Sequence, residues 1–366
     1  MMLRPFRIFV GARRAGVIAS FAVLAGVCAP GAGAETLLVV RKSDNALDLV
    51  DPGSTLRLAS VEVGYAPHEV SVSPDGRRAV VSNYGTREQP GSSLSVIDMT
   101  EPRELRRIGL GRHTRPHGVA WFAPERIAVT AEGSGHLLVV DPDAGTLLAE
   151  IATGQQVSHM VVVSRDGTRA YVANIGSGTT TAIDLTAARK VADISIGKGT
   201  EALALTPDGS ELWVGAREAG EVAVVDTRSL EVASRLSIPG VPIRIAITPD
   251  GATALVTCAG SGEVVSIDVR SRQQTGKHRL EMAPAPAAAA RPMARLAPGS
   301  ALPVGLALSS DGGTAYVAAT MADQVVVLET HGLRPLRAIR VGGEPDGLAL
   351  TPVLPGAPCH ACSADP

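Results

Sequence analysis

The chain has 366 residues, of which 45% are hydrophobic and only 3% are aromatic, and its formal net charge is −2. With 39 Gly, 25 Pro and very few large rings, the core must consist of Val, Ile, Leu and Ala, which favours many short strands joined by tight turns. The near-neutral charge without a basic stripe excludes a generic nucleic-acid-binding protein, and the long apolar runs exclude a disordered chain.

The N-terminal segment, residues 1–34, has the layout of a secretory signal peptide. Four arginines accompany an apolar stretch, Ala15 to Cys28, that is too short to span a bilayer comfortably. Ala32 and Ala34 supply the small residues of a cleavage site, so we expect the mature chain to begin at Glu35. An uncleaved anchor is the alternative. No later segment has membrane-spanning length, and the predicted location is the periplasm or the outside of the cell.

One sequence unit recurs along the rest of the chain. Each copy has an alternating apolar stretch, a turn and a second apolar stretch, which predicts a tight hairpin. The turn is Asp-Gly in every copy except the degenerate one, which has lost it. The copies are PHEVSVSPDGRRAVVSN (67–83), the degenerate PHGVAWFAPERIAVTA (116–131), SHMVVVSRDGTRAYVAN (158–174), TEALALTPDGSELWVGA (200–216), PIRIAITPDGATALVTC (242–258) and PVGLALSSDGGTAYVAA (303–319).

A third strand that ends in an acidic residue follows each copy. These residues are Asp98, Asp141, Asp184, Asp226, Asp268 and Glu329. A short carboxylate can accept hydrogen bonds from backbone N–H groups two or three residues later, so we expect these acids to cap turns rather than to catalyse a reaction.

The two ends of the repeat region complete a seventh copy. EPDGLALTP (344–352) supplies a first strand, while TLLVVR (36–41) and ALDLVD (46–51) supply a second and a third. Seven units with a usual spacing of 42 residues predict an all-β fold, a seven-bladed β-propeller of four-stranded antiparallel blades over residues 35–353. Strands from both termini close the ring, which removes an exposed sheet edge.

The segments YVAN (171–174), VVSN (80–83) and LVTC (255–258) resemble the repeats of the YVTN-repeat β-propeller family. The resemblance covers Thr36 to Pro352. Members of that family include surface proteins, periplasmic binding proteins and relatives of haem d1 and lactonase propellers. The resemblance therefore implies the fold, while function has to be argued from the site.

Three segments depart from the repeat. TREQPGSS (86–93) is expected to form a surface loop, and the Ala/Pro-rich insertion 272–301 a mobile flap or linker. The tail 354–366 contains Cys359 and Cys362 without the histidine that follows in a c-type haem motif. In an oxidising compartment these two cysteines are expected to form a local disulfide, and a metal-binding tail is the alternative.

Alignment of the copies on Asp-Gly places one residue per blade at the start of the innermost strand, which faces the mouth of the central channel. The residues in this position are His68, His117, His159, Glu201, Ile243, Val304 and Asp346. Around the closed ring, five adjacent blades offer acidic or imidazole side chains and two offer apolar ones. Three of the eight histidines of the chain fall in this single position.

This polar arc predicts a binding site at the channel mouth. Imidazole and carboxylate groups suit copper, zinc or iron, so His68, His117 and His159 are candidate metal ligands. Glu201, Asp346 and Arg115 are candidate contacts for a small molecule, since Arg115 ends a basic run that includes Arg106, Arg107, Arg112 and His113. A water-filled mouth without a ligand, and a basic run that merely keeps an outer strand soluble, are the structural alternatives.

A second position ends the second strand of each copy. It holds Asn83 and Asn174, which are expected to form turns, and Cys258, which is expected to fill apolar space. A soft metal ligand is the alternative for Cys258. Tyr84, Glu132 and Arg217 come immediately after this position.

The sequence predicts an exported, monomeric binding protein that holds a metal, a small molecule or a periplasmic protein at the channel mouth. A metal-dependent redox enzyme or a lactonase-like hydrolase that uses the same arc is one alternative. A structural interaction scaffold is another. The chain contains no G-x-S-x-G elbow, P-loop or dinucleotide fingerprint, and no residue is assigned a catalytic role.

Overall fold

Seven four-stranded antiparallel sheets form within residues 35–295 and 298–356, which the computed structural model describes. The innermost strand of each sheet contacts the innermost strand of the next sheet all the way round, so the sheets are the blades of a closed ring. The predicted all-β, seven-bladed propeller is therefore confirmed.

The strands run from the channel outward in each blade and are numbered along the chain. Blade 1 contains β4 (Pro67–Val72), β5 (Arg78–Gly85), β6 (Pro90–Asp98) and β7 (Arg103–Gly109), and blade 2 contains β8 (Pro116–Ala123), β9 (Arg126–Ala131), β10 (His136–Asp141) and β11 (Thr146–Ala152). Blade 3 contains β12 (Ser158–Val163), β13 (Arg169–Asn174), β14 (Thr179–Asp184) and β15 (Arg189–Ser195), and blade 4 contains β16 (Thr200–Leu205), β17 (Glu211–Ala216), β18 (Glu221–Asp226) and β19 (Val232–Ser237).

The remaining blades follow the same plan. Blade 5 contains β20 (Pro242–Ile247), β21 (Thr253–Cys258), β22 (Glu263–Asp268) and β23 (Gln274–Arg279), and blade 6 contains β24 (Pro303–Leu308), β25 (Thr314–Ala319), β26 (Gln324–Glu329) and β27 (Pro335–Arg340). Blade 7 joins β28 (Pro345–Thr351) to β1 (Thr36–Arg41), β2 (Ala46–Val50) and β3 (Arg57–Glu62).

Blade 7 closes the ring with strands from both ends of the repeat region, as predicted. β1 pairs antiparallel with β28, and Thr36 lies opposite Thr351. The hydroxyl of Thr36 also donates a hydrogen bond of 2.8 Å to the Val353 carbonyl oxygen. The predicted signal peptide (1–34) and the pair Cys359 and Cys362 lie outside the described residues. Within the described ranges, no helix is long and apolar enough to cross a membrane.

The Asp-Gly hairpins and the acidic residues at strand ends explain why the repeat folds in this way. Gly209 has a φ of +70°, which glycine adopts without steric cost, and Asp208 accepts a hydrogen bond of 2.6 Å from the Thr206 hydroxyl. The Asp141 carboxylate accepts backbone N–H bonds from the turn that follows, at 2.8 and 2.9 Å. Asp98, Asp184, Asp226 and Asp268 form the same type of cap, whereas Glu329 pairs with Arg334.

Apolar side chains fill the spaces between adjacent blades. The space between blades 4 and 5 holds Trp213, Val224 and Ile245 together with Cys258, and all four are buried. Burial raises the pKa of the Cys258 thiol to about 12, so the group remains a neutral thiol at physiological pH. Cys258 is part of this apolar packing, as the sequence favoured.

The two insertions, TREQPGSS and the Ala/Pro-rich segment, lie at the end of the ring where the innermost strands begin. In blade 1 the extra residues lengthen the β5–β6 hairpin, in which Gly85 pairs with Pro90. In the second insertion, short 3-10 segments cover Ala288–Ala290 and Pro292–Arg295. Ala288 is buried against Ile243 and Val304, so this part of the insertion covers the two blades whose inner strands begin with apolar residues.

Candidate functional site

The innermost strands bring the predicted polar arc together at the channel mouth. His68, His117, His159, Glu201 and Asp346 are each the second residue of the inner strand of their blade, because the same register is repeated around the ring. All except His68 are buried, and His68 is half-buried. This cluster of side chains, with the residues that contact it, is called the mouth cluster below.

The three histidines lie side by side. The ring centroids of His68 and His117 are 4.8 Å apart, and those of His117 and His159 are 3.6 Å apart. Acidic residues stand at both ends of the row. His68 Nδ1 is 3.2 Å from an Asp346 oxygen, and His159 Nε2 is 3.4 Å from a Glu201 oxygen.

Glu132, Tyr84 and Arg115 complete the mouth cluster from the side of blades 1 and 2. The Glu132 carboxylate is hydrogen-bonded to His159 Nδ1 and accepts a bond of 2.6 Å from the Tyr84 hydroxyl. Arg115 donates to the Tyr84 oxygen, and its guanidinium lies 4.8 Å from the centre of the Tyr84 ring. Of the basic run, Arg115 is the residue that contacts the mouth cluster.

The other members of the basic run are engaged elsewhere. Arg107 pairs with Glu104 at 2.9 Å, and Arg106 donates to the Ala144 carbonyl oxygen at 3.0 Å. Arg112 and His113 both pair with Glu150. These four residues therefore contact outer parts of blades 1 and 2 and not the mouth cluster.

The environment gives the three histidines different charges. Burial lowers the pKa of His68 and of His117 well below 6.5, and the nearby positive charges of Lys42 and His159 act in the same direction, so both rings are neutral. Burial also opposes the charge on His159, but the hydrogen bonds and charges of Glu132 and Glu201 outweigh it and raise the pKa to about 9. His159 is therefore an imidazolium at neutral pH.

The acids of the mouth cluster also differ. For Glu201, the bonds to His159 and the charge of Arg217 outweigh burial and lower the pKa to about 2. Burial raises the pKa of Asp346 to about 6, in spite of nearby Lys42. Arg217 donates to Glu201 at 2.6 Å, and Lys42 lies 3.7 Å from Asp346.

Below the histidines, an ion pair crosses the channel. Arg244 on β20 pairs with Glu69 on β4, which belongs to a blade that is not adjacent, and it also lies 3.4 Å from Glu201. Its guanidinium donates to the Ile243 carbonyl oxygen at 2.8 Å. Both Glu69 and Arg244 are buried, so this ion pair links two non-adjacent blades inside the channel.

Three residues of the mouth cluster are arranged so that they could hold a metal ion, and they are called the metal-ligating group below. His117, Glu132 and His159 each offer a ligand atom, and these atoms lie within 4.8 Å of one another. His117 Nδ1 is buried without a hydrogen-bond partner in the described part of the chain. His68 is not in this group. Glu132 is in it, although the sequence had placed this residue only beside a strand end. Two imidazoles and a carboxylate are a donor set found for zinc and for iron.

Several members of the mouth cluster were not among the predicted site residues. Glu132 and Arg217 each follow a second strand directly, and Tyr84 lies near the end of the longer strand β5. Glu69 and Arg244 share the third position of their inner strands. The opposite charges in that shared third position were the signal available in the sequence. Their pairing depends on the closed ring, which brings the blades that carry them face to face.

The chain is thus a seven-bladed β-propeller with a histidine- and acid-lined channel mouth. Residues 123–267 match the model of the family described as the cytochrome D1 heme domain. No curated protein matches the chain.

Two of the solved structures that share the fold illustrate the similarity. Hydrazine synthase from Kuenenia stuttgartiensis is 21% identical with a TM-score of 0.66, over 85% of this chain and 99% of that one. A functionally unknown protein from Desulfotomaculum acetoxidans is 13% identical with a TM-score of 0.70, over 87% of this chain and 99% of that one. At these identities the likeness concerns the fold.

The cytochrome D1 match raises the question of whether the metal-ligating group fits a haem. A tetrapyrrole supplies four in-plane donors to its iron and leaves axial positions on opposite faces of the macrocycle. The rings of His117 and His159 instead stack with centroids 3.6 Å apart and leave no space for a macrocycle between them. Glu132 lies on the same compact group. His117 and His159 therefore cannot bind one haem iron from opposite faces, whereas the three ligand atoms are close enough together to bind a single ion.

Proposed function

We propose that this protein binds a divalent transition-metal ion at the channel mouth through His117, Glu132 and His159. Two observations carry the proposal. His117, Glu132 and His159 offer ligand atoms within 4.8 Å of one another, and the buried Nδ1 of His117 has no hydrogen-bond partner among the described residues. A buried polar atom that is left unsatisfied costs free energy, and coordination to an ion would remove that cost.

The surroundings of the three ligands support the same proposal. Tyr84 donates to Glu132, and Arg115 lies 3.6 Å from it, so the carboxylate is held in place. Such outer partners orient the ligands of metal sites and tune their affinity. The ring of His117 is neutral, as a metal ligand must be, whereas His159 has to release its proton when the ion binds. Three protein ligands leave coordination positions for water or for a small molecule, which suits both a binding protein and a metal-dependent enzyme.

We also propose that the protein works after export, in the periplasm or outside the cell. The support is the N-terminal pattern of arginines, apolar residues and Ala32-x-Ala34. β1 starts at Thr36, so cleavage after Ala34 would leave every strand of the propeller intact.

The test is metal titration of the metal-free protein. Zn²⁺ is measured by calorimetry and Co²⁺ by its visible absorption, which reports the coordination geometry. We expect one ion per chain in the wild type and at least a hundredfold weaker binding in His159→Ala and Glu132→Gln. His331→Ala removes an exposed histidine in the turn after β26 and should bind as the wild type does.

Two results would overturn the proposal. One is a wild type that binds none of Zn²⁺, Co²⁺, Cu²⁺ and Fe²⁺ at micromolar concentration. The other is equal binding by His159→Ala and His331→Ala, which would place the ion outside the mouth cluster. Circular dichroism of each variant verifies that the propeller is still folded.

A further inference from the structure

A cleft of about 900 Å³ opens beside the mouth cluster, and both departures from the repeat line it. Its wall includes Thr86 to Glu88 from the extended hairpin of blade 1, and Ala289 to Arg291 with Met293 from the second insertion. Clefts of this size bury small organic ligands. All of its lining residues lie outside the segment 123–267 that matches the family model.

The cleft presents aromatic faces. Tyr65, His68 and Tyr84 line it, and Tyr65 is 46% exposed, which is unusual in a chain with so few aromatic residues. The rings of His68 and Tyr84 pack with centroids 4.4 Å apart and are held by the contacts of the mouth cluster. Because Arg115 and His68 pack against the Tyr84 ring, Tyr65 is the face on which a flat ring in the cleft could stack.

The cleft also holds one cation that has no ion-pair partner among the described residues. Lys42 pairs with Glu344 at 3.1 Å, and Arg291 pairs with Asp323 at 2.7 Å, so these two charges are neutralised. Arg87 is exposed on the cleft wall and makes no ion pair with the described residues. Its guanidinium can bind a carboxylate through two parallel hydrogen bonds. Glu88 lies next to it on the same wall, is exposed and makes no ion pair with the described residues, so its charge disfavours a ligand that carries more than one carboxylate.

We propose that this cleft is a binding site for an aromatic monocarboxylate, with the ring against Tyr65 and the carboxylate on Arg87. The site goes beyond the metal-binding function and does not depend on it, since Arg87 and Tyr65 are not among the metal-ligating group. His68 belongs to both the cleft and the mouth cluster, so a bound ligand would lie next to the ion.

The test is calorimetric titration of the full mature protein, with and without Zn²⁺. The probes are 2-naphthoate and indole-3-acetate, and the controls are 2-naphthalenemethanol, which lacks the charge, and cyclohexanecarboxylate, which lacks the aromatic ring. We expect the two probes to bind below 1 mM and at least tenfold more tightly than either control. Arg87→Gln should weaken the probes about fivefold or more, and Tyr65→Ser should weaken them by a similar factor.

Arg165→Gln is the matched variant, because Arg165 is an exposed arginine in the turn between β12 and β13. It should leave probe binding unchanged. The proposal is overturned if neither probe binds below 1 mM, or if Arg87→Gln and Arg165→Gln bind the probes equally. Haemin provides a further arm. The result to look for is that haemin binds tightly, with a Soret shift that His68→Ala abolishes, while the small probes do not bind. That result would place a larger polyanion in the cleft and would also overturn the proposal.

If the metal proposal fails while the probes bind to the metal-free protein, the cleft assignment stands on its own. If the probes bind only when Zn²⁺ is present, direct coordination explains their affinity and the Arg87 assignment is wrong.

Discussion

Arg244 and Glu69 form a buried ion pair that joins blade 5 to blade 1 across the central channel. They are 175 positions apart in the sequence, and each occupies the third position of its inner strand. Arg244 also reaches Glu201 of blade 4. These contacts therefore link three blades directly beneath the row of histidines. They also place charged side chains at the bottom of the mouth cluster.

Loss of Arg244 should destabilise the protein strongly. In Arg244→Met, Glu69 and Glu201 remain buried without this partner, and the removal of one member of a buried ion pair typically costs about 3–5 kcal/mol. Urea denaturation followed by circular dichroism measures the change. The double variant Glu69→Gln, Arg244→Met should recover part of the loss, because it removes one of the stranded charges. A loss below about 1 kcal/mol in the single variant would contradict a structural role for the pair.

The stability of the metal-free protein should depend on the charge of His159. Glu132 and Glu201 outweigh burial and raise its pKa to about 9, while an unfolded histidine titrates near 6.5. The native state therefore binds this proton more tightly, and the resulting stability is complete below about pH 6.5 and is lost as the pH rises through 9. We expect the free energy of unfolding to fall over this window by about 3 kcal/mol at most.

Glu132→Gln provides the comparison for this pH dependence. Without the Glu132 carboxylate, only Glu201 opposes the effect of burial, so the pKa of His159 should fall and the decline between pH 6.5 and 9 should become smaller. The measurement is urea denaturation at several pH values in the presence of a chelator. An identical decline in the wild type and in Glu132→Gln would mean that other groups cause it.

The fold was predictable because its determinants are local and repeated. Each Asp-Gly turn, such as Asp208-Gly209, marks one hairpin, and the constant register then places His68, His117 and His159 in equivalent positions. The pairing of charged residues within the mouth cluster could not be predicted in the same way. The partner of Glu69 is decided by how the ring closes, and the contact of Glu132 with His159 depends on the approach of two adjacent blades.

Export should remove residues 1–34. When the full-length chain is expressed in a secreting bacterial host, we expect mass spectrometry of the periplasmic protein to give a chain that begins at Glu35, because Ala32 and Ala34 match the cleavage rule. Ala34→Asp should impair cleavage, since signal peptidase requires a small residue there. Recovery of the wild type in the cytoplasm with its first 34 residues intact would contradict this prediction.

Close contact between inner strands should be essential for the stacked histidines. Gly118 follows His117 directly, and a Cβ atom on it would lie 2.6 Å from the His159 carbonyl oxygen and 2.7 Å from the Met160 Cα. Both are backbone atoms, so Gly118→Ala must push β8 away from β12. Such overpacking typically costs about 1–3 kcal/mol, and it would move His117 away from His159. We expect Gly118→Ala to lower the denaturation midpoint and to weaken Zn²⁺ binding at least tenfold.

Gly109→Ala is the matched control, because no heavy atom lies within 4 Å of the position that its Cβ atom would occupy on the outer strand β7. It should change neither stability nor Zn²⁺ binding appreciably. If Gly118→Ala lowers stability but leaves Zn²⁺ affinity unchanged, the ion does not depend on the spacing of His117 and His159. In that case the metal-ligating group needs to be sought elsewhere in the mouth cluster.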